Sequence, residues 1–151
     1  MRDSREEDLV KLVNLKRISE RELDWEPPEE YLEEFSKIVQ GIRKRDKSLV
    51  KVAEADGKLV GYCVAVKDLH SYDGVVLDIT MDSAYLWELY VPKQHHRKGI
   101  GTKLLEEIIQ HLKSIGKTTC YLSENYWNEE GKAFWEKKGF ALRGYLLEKK
   151  L

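Results

Sequence analysis

One stretch limits the fold of this chain more than any other. Tyr85-Leu-Trp-Glu-Leu-Tyr-Val91 is an apolar run rich in strand formers, and Pro92-Lys-Gln-His-His-Arg-Lys-Gly-Ile-Gly-Thr-Lys-Leu-Leu-Glu-Glu-Ile-Ile109 follows it directly. Together they read as a buried strand, a basic loop with two glycines and an amphipathic helix. Gly99 and Gly101 sit where the loop turns into the helix, so backbone N–H groups can approach a ligand with no Cβ in the way. The first N–H groups of a helix lack internal partners and lie at the positive end of its dipole. Arg97, Lys98 and Lys103 add charge to that end, which suits an anion. The expected ligand carries phosphate, lies along the strand and ends at the helix.

Two common phosphate loops do not fit. The Walker pattern needs four residues between its glycines and Lys-Ser or Lys-Thr after the second; here one residue intervenes and Thr-Lys follows. The dinucleotide fingerprint wants a third glycine where Leu104 stands. A glycine-rich strand–helix connection with no ligand is the competing reading of the loop alone. What remains, His96-Arg97-Lys98-Gly99-Ile100-Gly101, resembles the acetyl-CoA loop of the GNAT superfamily of N-acetyltransferases, written Gln/Arg-x-x-Gly-x-Gly/Ala, with His96 departing from its first position.

A second segment strengthens the resemblance. Asn128-Glu-Glu-Gly-Lys-Ala-Phe-Trp-Glu-Lys-Lys-Gly-Phe140 is similar to the superfamily's Asn-x-x-Ala-x-x-Phe-Tyr-x-x-x-Gly-Phe. Asn128, Phe134, Gly139 and Phe140 match; Gly131 and Trp135 stand where Ala and Tyr are usual. The resemblance implies an α/β acetyltransferase fold. Its sheet is mixed but mostly antiparallel, with splayed parallel fourth and fifth strands, flanked by about four helices.

Composition narrows the alternatives. A chain of 151 residues is expected to form a single domain, residues 1–151, with a real hydrophobic core. A net charge of −1 with 35% charged residues argues against nucleic acid as a partner. No apolar run approaches the ~18 residues of a membrane span, and the start of the chain lacks a signal-peptide core, so a soluble cytoplasmic protein is expected. Cys63 and Cys120 lie in apolar strand-like runs, as buried thiols do.

Along the chain, Ser4 and Glu7 form a capping-box pattern for a helix through Leu23, with Leu9, Leu12, Val13 and Leu15 apolar. Pro27-Pro28 opens a second helix with Tyr31, Leu32, Phe35, Ile38, Val39 and Ile42 on one side. Arg43 to Lys47 reads as a solvated helix end. Strands Ser48–Glu54 and Leu59–Val66 flank Asp56-Gly57, a hairpin signal. Val75–Ile79 is expected to extend the sheet, followed by strand Tyr85–Val91 and helix Gly101–Ile115. Strand Thr118–Ser123, helix Glu129–Lys138 and a last strand Phe140–Glu148 complete the pattern. The superfamily opens with a strand, and only Met1–Asp3 can supply it.

The resemblance also implies a site. The pantetheine arm of acetyl-CoA would insert between the strands at Tyr85–Val91 and Thr118–Ser123, with Leu89, Tyr90 and Val91 as contacts. The pyrophosphate would rest on His96, Arg97, Lys98, Gly99, Ile100, Gly101 and Thr102, and Asn128 and Trp135 would flank the cofactor. No metal is implied. An amine acceptor must be neutral to attack, since an ammonium has no lone pair, so a base must take one proton. Glu88 is the first candidate and Glu124 the second; His70, His95 and His111 read as surface. The superfamily's acid is the Tyr at the position of Trp135, whose indole has no useful acidity. Tyr126 or water would protonate the leaving thiolate instead. The expected activity is acetyl transfer to a primary amine (a small amine, a polyamine, or a peptide or protein amine) in a ternary complex, by a monomer or homodimer. The alternative is a non-catalytic acyl-CoA-binding module that acts through a protein partner.

Overall fold

The computed structural model describes residues 1–67, 82–144 and 147–150. Its elements are β1 (Arg2–Asp3), α1 (Leu9–Arg21), α2 (Glu29–Arg45), β2 (Val50–Ala55), β3 (Lys58–Val66), β4 (Ser83–Tyr90), α3 (Ile100–Ser114), β5 (Thr119–Tyr121) and α4 (Glu129–Lys137). The sheet runs β1-β2-β3-β4-β5, antiparallel throughout except for the parallel pair β4–β5. The short opening strand is present: Arg2 and Asp3 pair with Val52 and Lys51. The β2–β3 hairpin turns at Asp56 and Gly57, both with positive φ (50° and 73°), which suits the twist of antiparallel strands.

Alternation along β3 places the layers. Gly61 faces α3, where a Cβ would meet Leu104, while the Tyr62 ring stands 6.0 Å from that of Phe35 on α2. Successive strand side chains point to opposite faces, so α3 covers one side of the sheet, and α2 with its neighbour α1 covers the other. Between the layers lie Leu12, Leu32, Phe35, Val39, Val50, Val52 and Val64 on one side and Leu104, Leu105, Ile108 and Leu112 on the other, all buried. The last two helices each end in a left-handed glycine. Gly116 (φ 81°) follows α3, and Gly139 (φ 86°) follows α4. After α4, Phe140 donates to the Trp135 carbonyl and Gly139 to that of Glu136, each at 3.0 Å, and the rings of Trp135 and Phe140 meet at 5.4 Å. This is a Schellman ending with its hydrophobic contact, and it explains why Gly-Phe closes the second motif.

Four expectations need correction. Ser4 and Glu7 do not cap α1; Asp8 accepts the Arg5 N–H at 2.7 Å, and the Ser4 hydroxyl instead takes a bond from Arg43 at 2.9 Å. Arg43 is therefore an anchor between α2 and the start of the chain rather than a solvated charge. Ile38 is 40% exposed, because it sits at the edge of the stripe that buries Phe35, Val39 and Ile42. The described residues of 140–148 form no strand, and Leu142 and Leu147 are exposed where an alternating strand would bury one face. The expected extension at Val75–Ile79 lies outside the described residues.

Candidate active site

Strands β4 and β5 pair over a short length only. Ser83, Ala84 and Tyr85 match Thr119, Cys120 and Tyr121, and β5 then ends while β4 continues to Tyr90. Among the described residues, no strand therefore lies beside the main chain of Leu86 to Tyr90 on that edge. A bulge lies in the same half of β4: Val64 of β3 opposes Glu88 and Ala65 opposes Leu86, so Trp87 is the additional residue. As a result Trp87 and Glu88, though consecutive, both reach the α1–α2 face. The Trp87 ring stands 5.6 Å from that of Phe35, and the Glu88 carboxylate meets Tyr62 and Lys16.

Where β4 leaves the sheet, the loop turns back into α3. Arg97 and Gly99 both have positive φ (60° and 77°), and Gly99 is the residue before the first helical turn. No side chain caps α3, and its first backbone bond runs from Lys103 to the Gly99 carbonyl at 3.1 Å. The N–H groups of Ile100, Gly101 and Thr102 thus lie outside the ladder, at the helix end that follows β4. His96 is exposed, and its Nε2 donates to the Val91 carbonyl at 2.7 Å and ties the loop to the strand end. Arg97 and Lys98 are exposed, with Arg97 3.2 Å from Glu130 of α4. A Cβ on Gly101 would lie 3.8 Å from Phe134 and Val91, in ordinary contact, so the folded chain itself tolerates a side chain there. Gly99 differs, because its φ is one that L-residues rarely adopt.

The two carboxylates singled out from sequence are both held. Glu88 accepts from Tyr62 at 2.6 Å and from Lys16 at 2.5 Å, on the inner face of α1 rather than in solvent. Burial pushes the Tyr62 phenol well above its ordinary value, and the charge of Glu88 adds to this. Glu124 lies in the loop between β5 and α4 and takes three bonds, from the Asn125 N–H at 2.8 Å, Asn128 Nδ2 at 3.1 Å and the Trp135 indole at 2.9 Å. Asn128 in turn caps α4, accepting the Gly131 N–H at 3.0 Å. The two departures from the second motif meet here. A Cβ at Gly131 would stand 2.4 Å from both Glu124 Oε2 and Asn128 Nδ2, so the missing methyl makes room for the carboxylate that holds the indole.

Of the other candidates, Tyr126 is 84% exposed. His111 is not a free surface group, since Nε2 meets Asp46 at 2.8 Å; His70 lies outside the described residues. Cys63 and Cys120 are free thiols, and burial raises both, Cys120 to about 11. Among the described residues no cluster of three or more His, Cys, Asp or Glu is placed to hold a metal, and no helix is long and apolar enough to cross a membrane. Lys16, Glu20 and Tyr62 were not anticipated. The signal was present: Lys16 and Glu20 continue the helical stripe of Leu9 and Leu12, so their side chains fall on the core face.

Residues 13–140 match the acetyltransferase (GNAT) family. The chain belongs to that family. Its members take acetyl from acetyl-CoA, and the uncapped start of α3 beside an unpaired strand edge fits such a ligand. A Xenopus tropicalis protein, N-alpha-acetyltransferase 60, is 29% identical over 134 residues, covering 82% of this chain and 54% of its own length. The chain therefore spans about half of that relative. The PaiA N-acetyltransferase of Thermoplasma acidophilum, solved with coenzyme A, is 25% identical and superposes with a TM-score of 0.71 over 94% of this chain and 89% of its own. The ribosomal-protein-alanine N-acetyltransferase of Brucella melitensis shares the fold, with TM-score 0.73 at 24% identity, covering 95% of this chain and 85% of its own.

Proposed function

We propose that this protein transfers the acetyl group of acetyl-CoA to a primary amine by direct attack in a ternary complex, as one catalytic unit acting in the cytoplasm. The parting of β4 from β5 carries the reading. Leu86 to Tyr90 offer an open main-chain edge to a ligand with amide groups, and that edge leads to the free N–H groups of Ile100, Gly101 and Thr102. In this reading Leu89, Tyr90 and Val91 line the pantetheine arm, and a backbone N–H among them holds the thioester oxygen as its charge develops. In the same reading Asn128, the cap of α4, and Trp135 on that helix flank the cofactor.

The acceptor arrives as an ammonium and must lose one proton before its nitrogen attacks. A C–N bond then forms, the C–S bond breaks, and the thiolate takes a proton from water. Glu88 is the base in this proposal, because the bulge turns it onto the face away from α3 while its backbone stays on the open edge. Glu124 is the second choice, since its carboxylate already holds the Asn125 N–H, the Asn128 amide and the Trp135 indole in place. The acceptor we favour is the α-amine of a polypeptide, because the Xenopus relative is named an N-alpha-acetyltransferase.

One observation favours the rival, a non-catalytic acyl-CoA-binding module. The position where the family usually has a phenol carries an indole whose N–H is already committed to Glu124. Thiol release from acetyl-CoA, measured across a panel of amines, amino acids and peptide N-termini, separates the two. Turnover with a peptide amine supports the proposal; coenzyme A binding without acceptor-dependent thiol release with any of them refutes it.

A further inference from the structure

The cluster around Glu88 holds a second charge that the chemistry above does not use. The Lys16 side chain on α1 is 8% exposed, and its ammonium is shared between Glu20 at 2.6 Å and Glu88 at 2.5 Å. Tyr31 of α2 donates to Glu20 at 2.9 Å, and Tyr62 of β3 to Glu88 at 2.6 Å. The rings of Tyr31 and Phe35 lie 5.5 and 5.7 Å from the ammonium. For packing alone, an apolar side chain at this turn of α1 would serve better than a lysine stripped of water. Burial acts against the charged form of Lys16. The charge of Glu88 and the bonds to Glu20, Glu88 and Tyr31 outweigh it and hold the group above its ordinary range.

One ammonium therefore faces two carboxylates, and the cluster keeps one net negative charge beneath the bulge of β4. Beyond it, Tyr90 of β4 packs its ring 6.0 Å from that of Tyr62, and Glu22, just past α1, raises the Tyr90 phenol after burial has done so. The thiols of Cys63 and Cys120 are likewise held neutral by burial. Among the described residues, Lys16 is thus the cation in hydrogen-bond contact with Glu88.

We infer that Lys16 is a positioning residue of this site: its ammonium fixes the Glu88 carboxylate on the bulge of β4 as the anion that receives the acceptor's proton. The inference rests on the reading of Glu88 as the base. Without the ammonium the carboxylate keeps Tyr62 as its donor and loses its fixed place, and the pH profile of the reaction reads that change.

The test is the pH profile of kcat/KM for the acceptor in wild type, Lys16→Met, Glu20→Gln and Glu88→Gln, with coenzyme A-induced melting shifts as a control. Lys16→Met is expected to move the acidic limb to higher pH while the coenzyme A shift persists, since that ligand meets main chain. Glu20→Gln removes a neighbouring negative charge, keeps the side-chain shape and is expected to move the limb the other way. It remains a test even where Lys16→Met fails to fold. Limbs that coincide with wild type in every variant that folds overturn the inference and leave Lys16 a packing residue. If Glu88→Gln alone keeps full turnover, the base assignment and this inference fall together. Loss of turnover in Glu88→Gln with unmoved limbs in the other two removes only the inference.

Discussion

Replacing Gly131 by alanine should destabilise this protein, although alanine is the better helix former. The new Cβ would lie 2.4 Å from Glu124 Oε2 and Asn128 Nδ2 and 2.8 Å from Asn128 Cγ. The first two are the ends of flexible side chains and can swing away, so the cost is the hydrogen bonds they abandon. Moving Asn128 loosens the cap on the Gly131 N–H, worth about 1 kcal/mol. Moving Glu124 releases the Trp135 indole from a charged acceptor, worth about 1.5 kcal/mol at this half-exposed site, and frees the Asn128 amide, worth about 0.5 kcal/mol. Against this, alanine gains about 1 kcal/mol over glycine in the helix. The net loss is about 2 kcal/mol, or a fall of roughly 4–8 °C in melting temperature for a chain of this size. Calorimetric melting of Gly131→Ala, Glu124→Ala and the double variant reads this out. With the Glu124 carboxylate absent, Gly131→Ala should cost at least ~1 kcal/mol less than in wild type, because the clash has lost one of its two partners. A Gly131→Ala variant as stable as wild type, or additive effects in the double variant, would refute the reasoning.

Saturating coenzyme A, at about 100 times Kd, should stabilise the fold by ~2.7 kcal/mol, seen as a melting shift of roughly 5–10 °C. Gly101→Val should abolish that shift yet leave the unliganded protein folded; a variant that still binds would move the pyrophosphate elsewhere. Glu88→Gln should lower turnover by about 10²-fold or more with cofactor affinity nearly unchanged, by steady-state and thermal-shift measurements. Unaltered turnover would return the role to Glu124 or water. Trp135→Phe should change the acceptor KM more than kcat, because the indole N–H is spent on Glu124 and only shape is lost at the sulfur. A large fall in kcat at constant KM would contradict that.

Local signals were the readable ones. Asp56-Gly57 forecast its hairpin because the positive φ angles it needs are a property of two adjacent residues. The Gly-x-Gly loop likewise announced an uncapped helix start within six residues. Contacts across the chain were not readable. Ser4 fits a capping box by spacing, yet its hydroxyl is claimed by Arg43, 39 positions away. Glu88 reads from sequence as a candidate base, but its bonds to Tyr62 and Lys16 were not legible, because a one-residue bulge turns it towards them. Glu124 and Trp135 lie close in sequence, but only the absent methyl of Gly131 reveals that they bond. Phe140–Glu148 alternates like a strand, and alternation alone says nothing about whether a neighbouring edge is there to receive it.

The gap between β4 and β5 also bears on solubility. A run of main chain without a partner is a template for any extended segment, including one from another molecule. Here the open run is only Leu86 to Tyr90, and the bulge at Trp87 breaks its spacing, so a regular foreign strand cannot keep register along it. A short, flexible ligand with few amides is under no such demand. The irregularity that turns Glu88 inward thus also acts as a guard against self-association, and filling the slot with coenzyme A should make the protein slower to aggregate on warming.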